Sequence, residues 1–300
     1  MSFEKLFVDA NDSYKLSVRV YDVNEPKAVI KFIHGMEEHQ GRYEAFASFL
    51  QENGYAVITA DMRGHGEDAP LLSHIADKDG DKLLIEDEQT LIEFAKNKYP
   101  NVPLYLFGHS MGTIIARKLL QTNSNDFVKC ALSGYPNPQG VASIGAVLAG
   151  FISLFKGKKG HSNLVNNMVI GGFAKSVGNA KTPLDWLSYN EDNVKRYADD
   201  PLSGVEFTLG SYIALFHLVA DINNPQLYKD VYKELPIYLI SGVDDPCTGG
   251  EKGRSDSLDR LTKAGFTNID VKTLDHMRHE ILNETNKEET YNLILDFFNK

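Results

Sequence analysis

The chain has 300 residues, 42% of them hydrophobic and 24% charged, enough to build a large core and to argue against global disorder. Lys and Arg number 31 against 41 Asp and Glu, a formal net charge of −10. That balance lacks the basic face that general nucleic-acid binding needs.

Strand and helix signals alternate through the first half. "KLFVDA" and "YKLSVRVYDV" read as an antiparallel opening around the turn "AND". "KAVIKFIHG" is an apolar strand, and "RYEAFASFLQENG" has helical spacing that ends on Gly54. "YAVITADM" is a strand. "DKLLIEDEQTLIEFAKNKYP" is a helix stopped before Pro100. "VPLYLFG", "SMGTIIARKLLQTN" and "VKCALSGYP" continue as strand, helix, strand. This rhythm predicts an α/β fold, a mostly parallel sheet flanked by helices.

The rhythm breaks near Pro136. Residues 137–234 carry helical or irregular signals without convincing strand alternation. "LPIYLISG" at 235–242 restores the strand signal. A helix near 255–264, a strand "NIDVKTL" and a last helix "EETYNLILDFFNK" follow. The expected organisation is one α/β core, residues 1–136 and 235–300, with a helical cap at 137–234 inserted after the sixth strand. Within the cap, "VASIGAVLAGFISLF" from Val141 to Phe155 is uncharged and followed by "KGKK". It is short for a membrane span. It reads as a buried or pocket-lining helix, with an apolar lid face touching lipid or a micelle as the alternative.

Cys130 and Cys247 form no C-x-x-C pair, so neither a disulfide framework nor a redox motif is expected, and Cys130 reads as a buried thiol. The opening stretch, with Glu4, Lys5 and Asp9, lacks the basic start and apolar core of a signal peptide, which points to a cytoplasmic protein.

The chemistry centres on "FGHSMGT" at 107–113, a G-x-S-x-G pattern between a strand and a helix. In that context Ser110 reads as a nucleophile on a tight turn at the sheet's C-terminal edge, with Gly108 and Gly112 allowing close packing. A serine hydroxyl needs a base, and the expected chain order is serine, acid, histidine. "VDDPCTGG" supplies two candidate acids, Asp244 and Asp245, which spacing does not separate. "KTLDHMRHEILNE" supplies His276 and His279. His279, just before the last helix, is the favoured base. H-x-x-H has no third ligand cluster beside it, so no metal is expected, and no cofactor motif is present. Oxyanion donors are expected at the backbone N–H groups of Met111 and of Met36 in "HGMEEHQGRY"; removing one typically costs roughly 3–4 kcal/mol of transition-state stabilisation. The glycine-rich loop "DMRGHGEDAP" lacks a phosphate-binding pattern and reads as a buttress, through Arg63 and His65.

With "HGMEEH", "DMRGHG", the serine turn, "SGVDDP" and "MRHEILNE" in that order, the sequence resembles the α/β-hydrolase superfamily. Within it, the chain is similar to the group of monoacylglycerol lipases and lysophospholipases often labelled serine aminopeptidase S33. "KTPLDWLSYNEDNVKRYADDPLSG" is similar to the cap of bacterial members. The resemblance implies Ser110 as nucleophile, Asp245 as acid, His279 as base, and Met36 and Met111 as oxyanion donors. Relatives often carry serine or threonine soon after "RGHG"; here Glu67 and Asp68 follow.

The expected function is hydrolysis of a small-molecule, lipid-like ester, a monoacylglycerol or lysophospholipid, with transient membrane or micelle contact through the cap. One alternative is an aminopeptidase, whose substrate amine would need cap carboxylates such as Asp185, Glu191, Asp192, Asp199, Asp200 or Glu206. Another is a ligand-binding protein with little turnover.

Overall fold

A computed structural model of the chain describes residues 2–137 and 142–300. Eight strands form one sheet in the order β1-β2-β4-β3-β5-β6-β7-β8. β1 (Glu4–Asp9) and β2 (Lys15–Tyr21) are antiparallel. β3 (Val29–Ile33), β4 (Ala56–Ala60), β5 (Leu104–His109), β6 (Lys129–Ser133), β7 (Ile237–Gly242) and β8 (Ile269–Leu274) run parallel. The helices of the α/β core are α1 (Glu44–Glu52), α2 (Gly80–Lys98), α3 (Met111–Asn123), α9 (Gly250–Lys263) and α10 (Lys287–Asn299).

Successive side chains on a strand face opposite ways, so an apolar run such as "VIKFI" feeds two cores. Val29 and Ile33 pack with Leu91 of α2 and Ile115 of α3. Ile30 and Phe32 pack with Phe46 of α1 and Phe298 of α10. Cys130 is fully buried on β6.

Between β6 and β7 lie α4 (Ala142–Lys156), α5 (Asn163–Val169), α6 (Phe173–Ser176), α7 (Glu191–Asp199) and α8 (Leu209–Ile222), with no strand among the described residues. α8 is the inner helix of this group and is largely buried. α4 packs on α8, and its described buried positions are Gly145, Ala149 and Ser153, one small residue per turn of helix. A Cβ at Gly145 would sit 2.5 Å from the Phe216 ring.

The expectation that the apolar run is buried or lines the pocket therefore holds on one side only. Val141 lies outside the described residues. The run is apolar all round, but α8 covers only its small-residue side. Ile144, Val147, Phe151, Leu154 and Phe155 remain exposed, the last two at 78% and 79%. The helix expected near 255–264 starts earlier, at Gly250. "GGEKGRSDS" has no apolar periodicity to mark that first half.

Candidate active site

Ser110 is the single residue between β5 and α3, at φ 51° and ψ −121°. A positive φ is strained for a residue with a Cβ, and such strain persists only where the surroundings enforce it. Here the Ser110 N–H donates to the Ser133 carbonyl at 3.0 Å, and the Thr113 hydroxyl donates to the Ser110 carbonyl at 2.7 Å. A Cβ on Gly108 would lie 2.6 Å from the Gly112 carbonyl oxygen, and one on Gly112 would collide with the Ile33 carbonyl. The two glycines are what let α3 start hard against β5 and β3.

Ser110 Oγ lies 2.8 Å from His279 Nε2, and His279 Nδ1 lies 3.0 Å from Asp245 Oδ2. The other Asp245 oxygen accepts the Cys247 N–H at 2.8 Å, which fixes the carboxylate after β7. Asp245 and His279 are both buried. Burial pushes the His279 imidazole down, but the Asp245 carboxylate, with Glu280 and Glu38 behind it, overrides this and holds the pKa above 6.5. The alternatives left open by spacing go elsewhere. Asp244 is exposed and accepts the Tyr189 hydroxyl at 3.0 Å. His276 is exposed and stacks on the Tyr189 ring at 4.1 Å.

Met36 and Met111 line the same cavity as Ser110. Among the described residues no acceptor takes either backbone N–H. The Met36 loop is held by a buried network that sequence reasoning missed. Glu38 Oε1 accepts the Gly35 N–H at 2.5 Å and the Tyr43 hydroxyl, and Oε2 accepts from Arg42 at 2.8 Å. Arg42 also donates to both oxygens of Glu280, the residue after His279. Burial pushes the Glu38 carboxyl up despite Arg42. Burial also opposes ionisation of Glu280, yet Arg42 and the Asn193 amide hold it at about 2. The available signals were the density of charge in "EEHQGRY" and the glutamate in "RHEILNE".

Glu284 ties the histidine loop to the segment before α7, accepting the Ser188 hydroxyl at 2.7 Å and the Arg278 N–H at 2.9 Å. Trp186 lies against the His279 ring at 5.1 Å, and His109 packs on it at 4.9 Å. In the loop at 61–70, Arg63 pairs with Asp87 at 2.5 Å and Asp12 at 2.7 Å. His65 packs edge-on against His34 at 5.0 Å, just before the Met36 loop. Glu67 and Asp68, the departure from the family pattern, pair with Lys5 at the outside of the sheet.

The cavity measures about 560 Å³ and is walled mainly by apolar residues, including Ile114, Phe173, Leu215 and Val219. Of the cap carboxylates singled out from sequence, Glu206 alone is among its described lining residues. Among the described residues, one group brings three donors within metal-binding range. The donor atoms of Asp245, Cys247 and His279 lie within 4.8 Å of one another. Two of them are already joined as the carboxylate–imidazole hydrogen bond.

A parallel sheet with helices on both faces, a strained serine after a central strand, and a histidine and aspartate delivered by later loops define an α/β-hydrolase. The chain belongs to the serine aminopeptidase S33 family, whose pattern it matches over residues 24–286. Monoglyceride lipase of Mus musculus is 25% identical over 283 residues, covering 87% of this chain and 82% of that protein. Phospholipase YtpA of Bacillus subtilis is 20% identical over 271 residues, covering 90% of this chain and 95% of that protein. A highly thermostable carboxyl esterase from Bacillus coagulans, solved in complex with glycerol, superposes with a TM-score of 0.89 at 26% identity. That match covers 100% of this chain and 98% of the esterase.

Proposed function

We propose that this carboxylic ester hydrolase cleaves lipid monoesters, monoacylglycerols or lysophospholipids, through Ser110, His279 and Asp245 by way of an acyl-enzyme. The observation that carries the reading is the unbroken hydrogen-bonded chain from Ser110 Oγ through His279 to Asp245, opening into a largely apolar cavity. The named activities of the mouse lipase, the bacterial phospholipase and the esterase support the substrate class.

His279 Nε2 takes the Ser110 proton as Oγ attacks the ester carbonyl carbon. The Met36 and Met111 N–H groups receive the oxyanion as it forms. Collapse of the tetrahedral intermediate expels the alcohol, which leaves with the proton from His279. Water then gives a proton to His279 and its oxygen attacks the acyl carbon. The second collapse frees the fatty acid and returns the proton to Ser110. Asp245 holds the imidazole in one tautomer and stabilises its cation throughout.

The exposed face of α4 fits contact with a lipid surface. Five apolar side chains stand on the outside of one helix, and Lys156, Lys158 and Lys159 follow at its end. No described helix is long and apolar enough to cross a membrane.

Fatty-acid release from monooleoylglycerol by wild type and by Ser110→Ala tests the proposal, alongside a series of acyl chain lengths and an aminoacyl-naphthylamide. Expected are turnover of long-chain esters by wild type, none by Ser110→Ala, and no turnover of the naphthylamide. Activity confined to short-chain esters would remove the lipid assignment. Activity surviving in Ser110→Ala would remove the nucleophile.

A further inference from the structure

Four carboxylates are among the described residues lining the cavity, Glu37, Glu38, Glu206 and Glu280. Arg42 pairs with Glu38 and Glu280, which leaves Glu37 and Glu206, where the Met36 loop meets the segment leading into α8, without a cation among the described residues. Glu37 follows Met36 directly and is only 7% exposed. Its φ of 56° is held by its own carbonyl, which accepts the Tyr197 hydroxyl at 2.9 Å and the Gly204 N–H at 2.8 Å. Glu37 Oε1 accepts the Phe207 N–H at 3.0 Å, which brings the side chain beside Glu206. Among the described residues that is the only hydrogen bond to its carboxyl group, and Oε1 of Glu206 is buried with none.

Polar groups also lie in this part of the structure. The Tyr212 phenol is pushed up by burial, with the charges of both glutamates adding to it. Its hydroxyl donates to Asn166 Oδ1 at 2.7 Å, and Asn166 lines the same cavity. A buried carboxyl group with an unpaired oxygen costs free energy unless something bound there satisfies it.

We propose that Glu37 and Glu206 form a headgroup filter, admitting neutral, hydroxyl-bearing alcohol groups of lipid monoesters and rejecting phosphate-bearing ones. This rests on the ester-hydrolase reading above and decides between its two substrate classes. A phosphodiester brought into this wall would meet like charge with little water to screen it. A hydroxyl both donates and accepts. Burial, with Glu206 adding to it, pushes Glu37 up to about 7, so near neutrality Glu37 offers a protonated donor as well as acceptor oxygens. A cationic headgroup would suit two ionised carboxylates; ready protonation of Glu37 suits a hydroxyl.

The test is kcat/KM for 1-oleoylglycerol and for 1-oleoyl-lysophosphatidylglycerol, each as monomer, with wild type, Glu206→Gln and Glu37→Gln. The ratio of the two values within each protein cancels any loss common to both substrates. Wild type is expected to favour the glycerol ester by roughly a hundredfold, and each glutamine to narrow that ratio by about tenfold. An even ratio in wild type, or a ratio unmoved in both variants, would overturn the filter. So would wild-type cleavage of an aminoacyl-naphthylamide that falls in Glu206→Gln, since it would assign the pair to a cation. If wild type cleaves neither lipid nor p-nitrophenyl octanoate, it is the ester-hydrolase reading that fails.

Discussion

Arg42 grips Glu280 with both arms of its guanidinium, Nη1 to Oε1 at 2.5 Å and Nη2 to Oε2 at 2.8 Å. It also pairs with Glu38, which in turn holds the Gly35 N–H. One buried cation therefore joins the loop carrying Met36 to the loop carrying His279. Breaking a buried pair by removing one partner strands the other charge, at a cost of about 3–5 kcal/mol. Arg42→Met should lose that much stability in urea unfolding, and kcat should fall with it because both loops lose their anchor. Arg42→Lys should recover part of the stability and less of the activity, because a point charge cannot replace the fork.

The proton balance at His279 gives a second expectation. Its pKa is raised, so at a given pH more of it is protonated and unable to act as a base. The groups facing it are Asp245, Glu280 and Glu38, which raise it, and His109, which burial keeps neutral. kcat/KM should therefore rise with pH through a midpoint above 6.5. Glu280→Gln removes one negative charge and should move that midpoint down. A midpoint that stays in place or climbs would show that Glu280 does not act on the imidazole.

Two glycines should respond in opposite ways to the same added methyl group. Gly112→Ala drives a Cβ into the Ile33 carbonyl, and overpacking of this kind typically costs about 1–3 kcal/mol or more. Gly150, inside α4, has nothing within 4 Å of an added Cβ. Gly150→Ala should stabilise the protein by about 0.4–1 kcal/mol through the unfolded state. Chemical denaturation of both variants measures the contrast.

The exposed face of α4 should show itself at a lipid surface. Wild type should co-sediment with vesicles of phosphatidylcholine and phosphatidylglycerol, and the triple variant Phe151→Ser, Leu154→Ser, Phe155→Ser should not. The ratio of rates on micellar and monomeric ester should fall in the same variant. Equal sedimentation of the two proteins would leave that face without a lipid role.

Much of this arrangement was legible in the sequence, for identifiable reasons. Strands such as "VIKFI" and "YLISG" are mostly apolar because both faces of the parallel sheet are covered, and Lys31 within the first is buried in a pair with Glu88. The elbow at Ser110 advertised itself through the two glycines that the backbone needs there. Asp245 and Asp244 were not separable by spacing, because burial and a hydrogen bond, not sequence position, distinguish them. Glu38, Arg42 and Glu280 were missed because charged residues in a loop usually face water, and only tertiary contact turns these three inward. The outer face of α4 fits the apolar lid face that the sequence also allows: its composition is that of a buried helix, but α8 and α5 leave that face uncovered. Glu37 gave no signal at all, since its place beside Glu206 depends on a contact between residues 37 and 207.

The most direct measurement is labelling with a fluorophosphonate, followed by mass spectrometry of the peptide bearing the adduct. Wild type should carry one adduct, on Ser110, formed more slowly in His279→Ala and absent in Ser110→Ala. An adduct elsewhere in wild type, or labelling that persists in Ser110→Ala, would contradict Ser110 as the nucleophile and the hydrolytic mechanism built on it.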